Sequence, residues 1–374
     1  MCRALVVGGT GPSGPHVVDG LLDRGYQVTV FHSGRHEVDF AGPVEHVHGD
    51  AHFAAGIADC LGGRTFDLVV AMYGRLRLIA DWAAGRTDRF VGVTGTAGYA
   101  ERDDPRWGEL GRELLPDESG PWLLGPDIAP FQFKIHQAEE HVLARHAEGA
   151  FLGSVLRPPN MYGPRQIGPE DWSVVRRILD GRRRIVVPDG GLKIDARIHV
   201  RNFAAAVLCL VDRPEAGAGR RFNVRDEALY SMRQRVALIA RTLGVEIEQV
   251  PIPFEYARPS HPCWRWSAVH RAVDDSAIRA IGHTDVISAA DGIQDAVRWL
   301  VDHRPEPGGE AERQLGDPFD YAAEDRLLAA WDGVVATLGQ VEYTLPVAAH
   351  RYRHPTEHDE EWVRPAESTY DPGV

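Results

Sequence analysis

Short apolar runs alternate with helix-length segments over the first part of the chain. The runs lie at residues 4–7, 28–31, 44–47, 68–71, 90–93 and 152–156. Apolar runs of this length are typical of strands buried on both faces, and strands that alternate with helices form a parallel sheet covered on both sides. We therefore predict an α/β fold built on a doubly wound parallel sheet.

The pattern changes after Pro158, where amphipathic segments become dominant. Helices are predicted at 171–179, 200–211 and 231–243, and strands at 184–187, 222–224 and 246–252. The apolar helix at 200–211 and the strand after it are expected to pack back on the sheet, because their apolar side chains need a buried surface. The other pieces predict a smaller lobe that is interleaved with the sheet domain.

Three parts follow from these patterns. The predicted boundaries are 1–165 with 196–225 for the sheet domain, 166–195 and 226–304 for the smaller lobe, and 305–374 for a C-terminal extension. The extension begins in a linker rich in proline and glycine. Apolar side chains then recur at helical spacing at Leu327, Leu328, Trp331, Val334, Val335 and Leu338. This face packs on its own chain, on a second copy in a homodimer, or over the active site as a lid, and the sequence leaves these alternatives open.

The polar tail carries His350, His354 and His358 at intervals of four residues. This spacing would place three ligands together only on a continuous helix, and Pro355 argues against a helix there. We predict no metal site in the chain.

The formal net charge of −13 weighs against nucleic acid as a partner, since affinity for phosphate backbones comes from clustered Lys and Arg. The one basic cluster, Arg176-Arg177 with Arg182-Arg183-Arg184, is interpreted as a solvated helix end or as a wall that meets an anionic ligand. No apolar run approaches the ~18 residues that a membrane span needs. The four cysteines form no CxxC pair, so neither a disulfide framework nor a zinc site is indicated. We expect a cytoplasmic protein without a membrane partner.

A glycine-rich turn follows the first apolar run and opens a helix. It reads Gly8-Gly9-Thr10-Gly11-Pro12-Ser13-Gly14. Glycines at such a turn let backbone N–H groups approach a pyrophosphate without an intervening Cβ, and the positive end of the helix dipole favours the negative charge. The second strand arrives at the distance expected of a βαβ unit. The turn therefore predicts a dinucleotide site.

The residues after the second strand bear on the choice of coenzyme. Dinucleotide enzymes that bind a free ribose 2′-hydroxyl usually place an acid here, whereas residues 31–36 carry Ser33 and Arg35 and no carboxylate. A guanidinium can grip a 2′-phosphate with two hydrogen bonds. The segment therefore favours NADP(H) over NAD(H), although NAD stays open.

Several motifs resemble those of the extended short-chain dehydrogenase/reductases, in their epimerase/dehydratase branch. The GGTGxxG turn, the segment 93–99 after the fifth strand, the segment 156–165 (LRPPNMYGPR) and the segment 195–204 carry the resemblance, which extends to about residue 300. It implies a Rossmann fold. It also implies that Asp50 lies near the adenine amino group, and the alternative for Asp50 is an N-cap of a helix that begins at Ala51.

The resemblance further implies roles around the reacting groups. Thr96 would hold a substrate oxygen, Pro158 and Asn160 would contact the coenzyme, and Asn160 would also contact the substrate. Arg165 or Arg197 would anchor an anionic or oxygen-rich end of the substrate.

The catalytic pair of this family, Tyr-x-x-x-Lys, is incomplete. Lys134 lies where the family's lysine holds the ribose hydroxyls, but the position four residues earlier is Pro130, which has no proton to donate. Three explanations remain. Another group supplies the proton, with Tyr99, Tyr73, Thr96 and His136 as candidates. Alternatively the acceptor is activated, as an iminium or conjugated carbonyl is, and needs little acid catalysis, or the protein binds a dinucleotide without turnover.

These features predict an NAD(P)-dependent oxidoreductase or epimerase that transfers hydride to or from a small polar substrate, either a nucleotide sugar or a secondary-metabolite carbonyl or imine. A dinucleotide-binding regulatory or scaffold protein is the alternative, and RNA binding is a third option that the acidity disfavours. Trp172, Trp264 and Trp266 either fill the core of the substrate lobe or stack on a ring of the substrate.

Overall fold

The structure is a computed structural model that describes residues 2–72, 74–96, 99, 115–120, 130–257 and 270–342. The chain divides into two compact units, Met1–Asp320 and Tyr321–Val374. Residues 305–320 therefore belong to the first unit, although the sequence places them in the extension. Among the described residues, no helix has both the length and the apolar character needed to cross a membrane.

Eleven strands are formed among the described residues. They are β1 (Arg3–Val7), β2 (Gln27–His32), β3 (Glu45–His48), β4 (Phe66–Ala71), β5 (Thr87–Val93), β6 (Leu152–Arg157), β7 (Asn160–Tyr162), β8 (Arg184–Pro188), β9 (Arg197–His199), β10 (Arg221–Asn223) and β11 (Glu248–Ile252).

The helices of the first unit are α1 (Gly14–Asp23), α2 (Ala54–Leu61), α3 (Leu76–Ala83), α4 (Pro130–Ala147), α5 (Trp172–Leu179), α6 (Val200–Asp212), α7 (Pro214–Gly217), α8 (Met232–Thr242), α9 (Phe254–Ala257), α10 (Ser276–Ala280), α11 (Ala289–Asp302) and α12 (Glu310–Leu315). The second unit contains α13 (Tyr321–Leu338). A helix therefore forms where the apolar face of the extension is predicted.

Seven strands form one parallel sheet in the order β10-β6-β5-β4-β1-β2-β3. Strands β1, β4 and β5 lie in the middle, and most of their apolar side chains are buried on both faces, as their apolar runs predict. The strand order reverses between β1 and β4. Ligands of open α/β sheets bind beyond the carboxyl ends of the strands at such a point. The predicted doubly wound α/β fold is confirmed.

Two apolar cores cover the faces of the sheet. On one face Val6, Val30 and Val70 pack against α1 and α6, which confirms that the apolar helix after residue 200 packs back on the sheet. On the other face Leu5 and Val69 pack against α2 and α3. Helices α1 and α6 also contact each other. This packing fixes the turn that precedes α1 at the carboxyl end of the central strand β1.

The lobe has its own core, built mainly from α5, α8 and α11. Trp172 is buried in it and its indole N–H donates to Glu312 at 2.8 Å, so this tryptophan fills core. Trp264 and Trp266 lie outside the described residues, as does the histidine-bearing tail.

Two arginines of the basic cluster are committed to ion pairs inside the first unit. Arg177 is fully buried, with Nη1 2.6 Å from Asp317 Oδ2. Arg176 Nη1 lies 2.6 Å from Glu312 Oε1. For these two residues the prediction of a solvated helix end or an anion-facing wall is wrong, because α12 and the residues after it supply carboxylates from more than a hundred positions away.

His283 couples the stability of this unit to pH. It is buried, and burial lowers its pKa from 6.5 to about 4. Below pH 6.5 the unfolded chain takes up a proton that the folded chain resists, so the free energy of unfolding falls as the pH drops toward 4. We expect wild type to lose about 2 kcal/mol more than His283→Leu between about pH 7.5 and about pH 5, measured by urea unfolding. Equal losses in the two proteins would contradict this, and exposed His36→Leu is the control.

Candidate active site

The glycine-rich turn is closed by its own backbone. The Gly8 N–H donates to the Phe31 carbonyl at 2.9 Å, and the Gly14 N–H donates to the Gly11 carbonyl at 2.9 Å. Gly8 has a φ of 86°, which a side chain would disfavour. A Cβ on Gly14 would lie 2.0 Å from the Gly9 carbonyl oxygen. The tight contact between the turn and the first residue of α1 therefore requires glycine.

Gly11 faces open space instead. A Cβ there would meet only the Gly8 carbonyl oxygen, at 3.5 Å. Helix α1 begins three residues later with a proline in its first turn, and the side chain of its N-cap residue, Ser13, makes no capping hydrogen bond. A helix N-terminus next to a turn rich in glycine is what a pyrophosphate needs. The residues present fit the phosphates of a dinucleotide.

The end of β2 differs from the sequence-based picture in one respect. Ser33 and Arg35 are exposed after β2, as the prediction for NADP requires. However, the segment that follows folds back toward β3, so that Glu37 Oε1 lies 3.1 Å from His48 Nε2. A carboxylate is therefore present at this end of the sheet. The prediction for NADP missed it because it took account of residues 31–36 only.

Asp50 lies two residues after the end of β3. Its Oδ1 accepts the backbone N–H of His52 at 2.8 Å, and hydrogen bonds from the backbone and ring of His52 lower the pKa of the carboxyl. Helix α2 begins at Ala54 with Phe53 as its N-cap. The alternative that Asp50 caps a helix beginning at Ala51 is therefore wrong, and contact with adenine stays a prediction.

The ends of β5 and β6 bring Thr96 next to Pro158. The Thr96 N–H donates to the Pro158 carbonyl at 3.0 Å, and the Thr94 N–H donates to the Leu156 carbonyl at 2.9 Å. Thr96 is 4% exposed. These hydrogen bonds continue the pairing of β5 with β6 beyond Val93 and Arg157. Residues 94–96 and the RPPN segment (157–160) therefore lie side by side at the carboxyl ends of the strands.

The Tyr99 hydroxyl lies inside a buried network. It is 2.8 Å from Asn223 Oδ1 and 2.9 Å from the Asp117 carbonyl oxygen, and it accepts from Arg157 Nη1 at 3.2 Å. Burial raises its pKa to about 12. A tyrosine that donates a proton near neutral pH needs the opposite shift. These surroundings suit a positioning role for Tyr99 better than the predicted role of an acid.

Glu139 is a buried acid that the sequence analysis misses. It is fully buried on α4, where it accepts from the Thr94 hydroxyl at 2.6 Å and from Arg157 Nη2 at 2.7 Å. Arg221 Nε of β10 lies 3.3 Å from the same carboxylate. One carboxylate thus ties α4 to the ends of β5, β6 and β10.

The start of α4 carries the incomplete catalytic pair. Pro130 is the first residue of the helix, a position that favours proline because its nitrogen needs no partner there. Lys134 follows one turn later and is exposed. His136 Nδ1 lies 3.8 Å from Glu140 Oε1, which is too long for a hydrogen bond. Tyr73, another candidate acid, lies outside the described residues.

The substrate-side candidates meet where β7 pairs with β9. Asn160 lies directly opposite Arg197 in that register. Glu170 links them, since it accepts from Asn160 Nδ2 at 3.2 Å and forms an ion pair with Arg197. Arg197 Nη2 also lies 3.3 Å from Asp195 Oδ2. Two carboxylates already neutralise the Arg197 guanidinium, which argues against the predicted role of gripping an anionic substrate.

Arg165 has a different location. It is exposed after β7, with a φ of 63°. It lies close enough to His16, in the first turn of α1, to contribute to the lowered pKa of that histidine, behind burial and Arg201. Arg165 is therefore on the side of the glycine-rich turn and not in the Asn160–Arg197 cluster.

Lys193 is a second residue that the sequence analysis misses. Burial lowers its pKa to about 8, with Asp195 as the main opposing charge. Lys134 and Lys193 are the two lysines of a chain that otherwise uses arginine for its fixed cations. That usage is the signal that could have identified Lys193, because lysine changes protonation state far more readily than arginine.

Comparisons with known proteins agree with this geometry. A profile of the NAD-dependent epimerase/dehydratase family matches residues 4–224. A GDP-L-fucose-synthase-like protein from Oryza sativa subsp. japonica is 28% identical over 52% of the chain, and the chain spans 53% of that protein. The 4-hydroxy-2-methyl-3-oxo-4-farnesyl-3,4-dihydroquinoline-1-oxide ketoreductase of Stigmatella aurantiaca is 25% identical over 79% of the chain and 96% of its own length.

Solved structures show the same fold. A dTDP-glucose 4,6-dehydratase from Streptomyces venezuelae, solved with NAD bound, superposes with a TM-score of 0.62 at 21% identity, over 81% of this chain and 98% of the other. The family profile, which extends over more than half of the sequence, includes the glycine-rich turn, Lys134 and the RPPN segment. The chain belongs to the NAD-dependent epimerase/dehydratase family.

Proposed function

We propose that this protein transfers hydride between a nicotinamide dinucleotide and a small polar substrate, and that it acts as a reductase of an activated carbonyl or imine. The observation that carries the proposal is the pairing of an open glycine-rich turn at Gly11 with a proline in place of the family's catalytic tyrosine. The first feature supplies a coenzyme site. The second restricts the kind of substrate that can react.

The chain's own residues have separate tasks in this proposal. The turn and the N-terminus of α1 bind the phosphates, and Lys134 holds the nicotinamide ribose hydroxyls. Thr96 and Asn160, at the carboxyl edge of the sheet, contact the substrate. When bound, the nicotinamide would supply or accept the hydride. Ser33 and Arg35 favour the 2′-phosphate of NADP, and Glu37 opposes it through its negative charge.

The missing tyrosine sets a limit on the acceptor. Pro130 has no proton to give, and Tyr99 has a raised pKa in a buried network. Loss of a positioned general acid typically costs about 10²–10⁴-fold in rate. An iminium ion tolerates that loss because hydride addition gives a neutral amine directly. A conjugated carbonyl tolerates it because hydride addition at its β-carbon gives a delocalised enolate, which water can protonate afterwards. The Stigmatella relative, named as a ketoreductase, supports reduction of a carbonyl over epimerisation of a sugar.

A scaffold function is the second candidate. It is favoured by Pro130, which removes the usual acid, and by the additional helix α13 in the second unit. A protein of this kind would bind a dinucleotide and leave its redox state unchanged.

Turnover separates the two candidates. Oxidation of NADH or NADPH, followed by absorbance with a panel of nucleotide sugars, activated ketones and imines, is expected to occur with a ketone or imine. Lys134→Ala should lower that rate by about 100-fold or more, since the coenzyme loses its ribose contact. Gln137→Ala, an exposed change on the same helix, is the control. Binding of coenzyme without turnover across the panel would overturn the proposal in favour of the scaffold.

A further inference from the structure

Three histidines and a glutamate converge at the carboxyl end of β2 and β3. We call His32, Glu37, His46 and His48 the edge cluster. Each offers one ligand atom, and the four atoms all lie within 4.8 Å of one another. The three histidines have no part in the hydride transfer proposed above, and Glu37 enters that proposal only through the effect of its charge on the 2′-phosphate of NADP.

The parallel pairing of β2 with β3 brings together the three histidines of the edge cluster. His32 is paired with His48 in the register, and His46 lies two residues before His48 on the same face of β3. β3 is the edge strand of the sheet. Glu37 reaches the same point from the segment between the two strands. The convergence is therefore produced by the fold and does not depend on one flexible side chain.

The distances agree with a single ion. His32 Nε2 is 3.0 Å from His46 Nδ1, His46 Nδ1 is 3.4 Å from Glu37 Oε2, and His48 Nε2 is 3.1 Å from Glu37 Oε1. Nitrogen and oxygen ligands that bind zinc at about 2.0–2.1 Å in a tetrahedron are separated from one another by about 3.3 Å. These three distances are close to that value, and all four ligand atoms lie within 4.8 Å of one another.

Neutral tautomers satisfy the three hydrogen bonds of this region but leave His46 Nδ1 and Glu37 Oε2, which are 3.4 Å apart, without a proton between them. If His32 Nε2 donates to His46 Nδ1, then the His46 lone pair occupies the side that faces the Glu37 carboxylate. If His46 Nδ1 instead donates to Glu37, then His32 must keep its proton on Nδ1, where the Gly34 N–H already donates at 3.3 Å. Each neutral arrangement leaves two groups of the same kind in contact. A cation at the centre would remove the contact between the His46 and Glu37 lone pairs, and the contact at Gly34, an exposed glycine, would have to change as it does in the second proton arrangement.

The edge cluster is partly buried, and its ligand atoms can still be reached from solvent. His32 is 4% exposed and forms a fixed wall, whereas His48 and Glu37 keep more than half of their side-chain surface open to solvent. An ion could enter from that open side.

We propose that His32, Glu37, His46 and His48 bind one divalent transition-metal ion of the zinc class. Three imidazoles and one carboxylate form a ligand set that zinc accepts. The ion would fasten the segment after β2 to the exposed edge strand.

The test uses the full chain, freed of metal with a chelator and kept free of nicotinamide coenzymes. Zn²⁺ is titrated against a chromogenic chelator, and Co²⁺ is used separately for its visible absorption. We expect one high-affinity Zn²⁺ per chain and the spectrum of a four-coordinate cobalt site. Affinity should fall by about 100-fold or more in His46→Ala and in His48→Ala.

The chain has 17 histidines, so the difference between variants is the decisive quantity. His36→Ala removes an exposed histidine from the same segment, outside the edge cluster, and should bind as wild type does. Circular dichroism of each variant checks that it is folded. Equal affinity in wild type, His46→Ala and His48→Ala, or no stoichiometric binding in wild type, would overturn the proposal. Because no coenzyme is present, this result is independent of the proposed hydride transfer.

Discussion

Gly11→Val is expected to abolish dinucleotide binding while the protein remains folded. A Cβ at this position meets only the Gly8 carbonyl oxygen, at 3.5 Å, so the new side chain extends into the space in front of α1. A pyrophosphate must approach the backbone there to within hydrogen-bond distance. We expect affinity for NADH or NADPH to fall by about 1,000-fold, or about 4 kcal/mol, in titrations that follow the fluorescence of the reduced coenzyme.

Gly14→Ala is the matched comparison. Its Cβ would lie 2.0 Å from the Gly9 carbonyl oxygen, so this smaller change should damage the fold itself. Thermal unfolding should therefore separate the two variants, with Gly11→Val close to wild type and Gly14→Ala strongly destabilised. Wild-type affinity for coenzyme in a folded Gly11→Val protein would show that the turn is not the phosphate site.

Glu139→Ala is expected to cause the largest loss of stability among single changes away from the glycine-rich turn. The carboxylate is fully buried and holds Arg157, which is itself fully buried. Removing one member of a buried ion pair leaves an uncompensated charge and typically costs about 3–5 kcal/mol. Urea unfolding should show a loss of that size. The neighbouring Glu140 is exposed and pairs with Arg221. Glu140→Ala should lower the free energy of unfolding by only about 0–1 kcal/mol.

A double replacement checks the physical reason. If the cost comes from the stranded guanidinium, then Glu139→Met combined with Arg157→Met should recover part of the loss seen in Glu139→Met alone. Additive losses in the double variant would contradict an ion-pair origin and would indicate a packing effect.

Local patterns in the sequence were sufficient for the sheet and the glycine-rich turn. Buried parallel strands appear as unbroken apolar runs, and the turn needs glycine at defined positions, so both leave a signal within a few residues. The first strands and α1 therefore form where the sequence predicts them. The same holds for α6, whose apolar face has to find the sheet.

Contacts between distant segments could not be predicted in this way. Arg177 is charged in sequence and therefore expected at the surface, but Asp317 neutralises it inside the lobe. Glu139 is hidden for the same reason, since its partners are Thr94, directly after β5, and Arg157, on β6, which precede and follow its helix. A carboxylate or guanidinium carries no local sign of whether the fold will bring it a partner.

Chain reversals account for the remaining differences. The prediction for NADP took account of residues 31–36, which do not include Glu37. The chain turns back after β2, so that Glu37 contacts His48 at the end of β3. The edge cluster arises from the same reversal, because histidines on β2 and β3 meet only when the strands pair in register. Local spacing draws attention to the cysteines and to the histidines of the tail as possible metal ligands, because a CxxC pair or a helical interval is easier to notice than a pairing of two strands.

Equilibrium dialysis of the purified protein against NAD⁺, NADH, NADP⁺ and NADPH tests the central claim most directly. The account predicts saturable binding of at least one coenzyme at one site per chain. If the charge of Arg35 outweighs that of Glu37, NADP⁺ and NADPH, which carry the 2′-phosphate, bind more tightly than NAD⁺ and NADH. Absence of binding for all four coenzymes, in protein that is folded by circular dichroism, would contradict it.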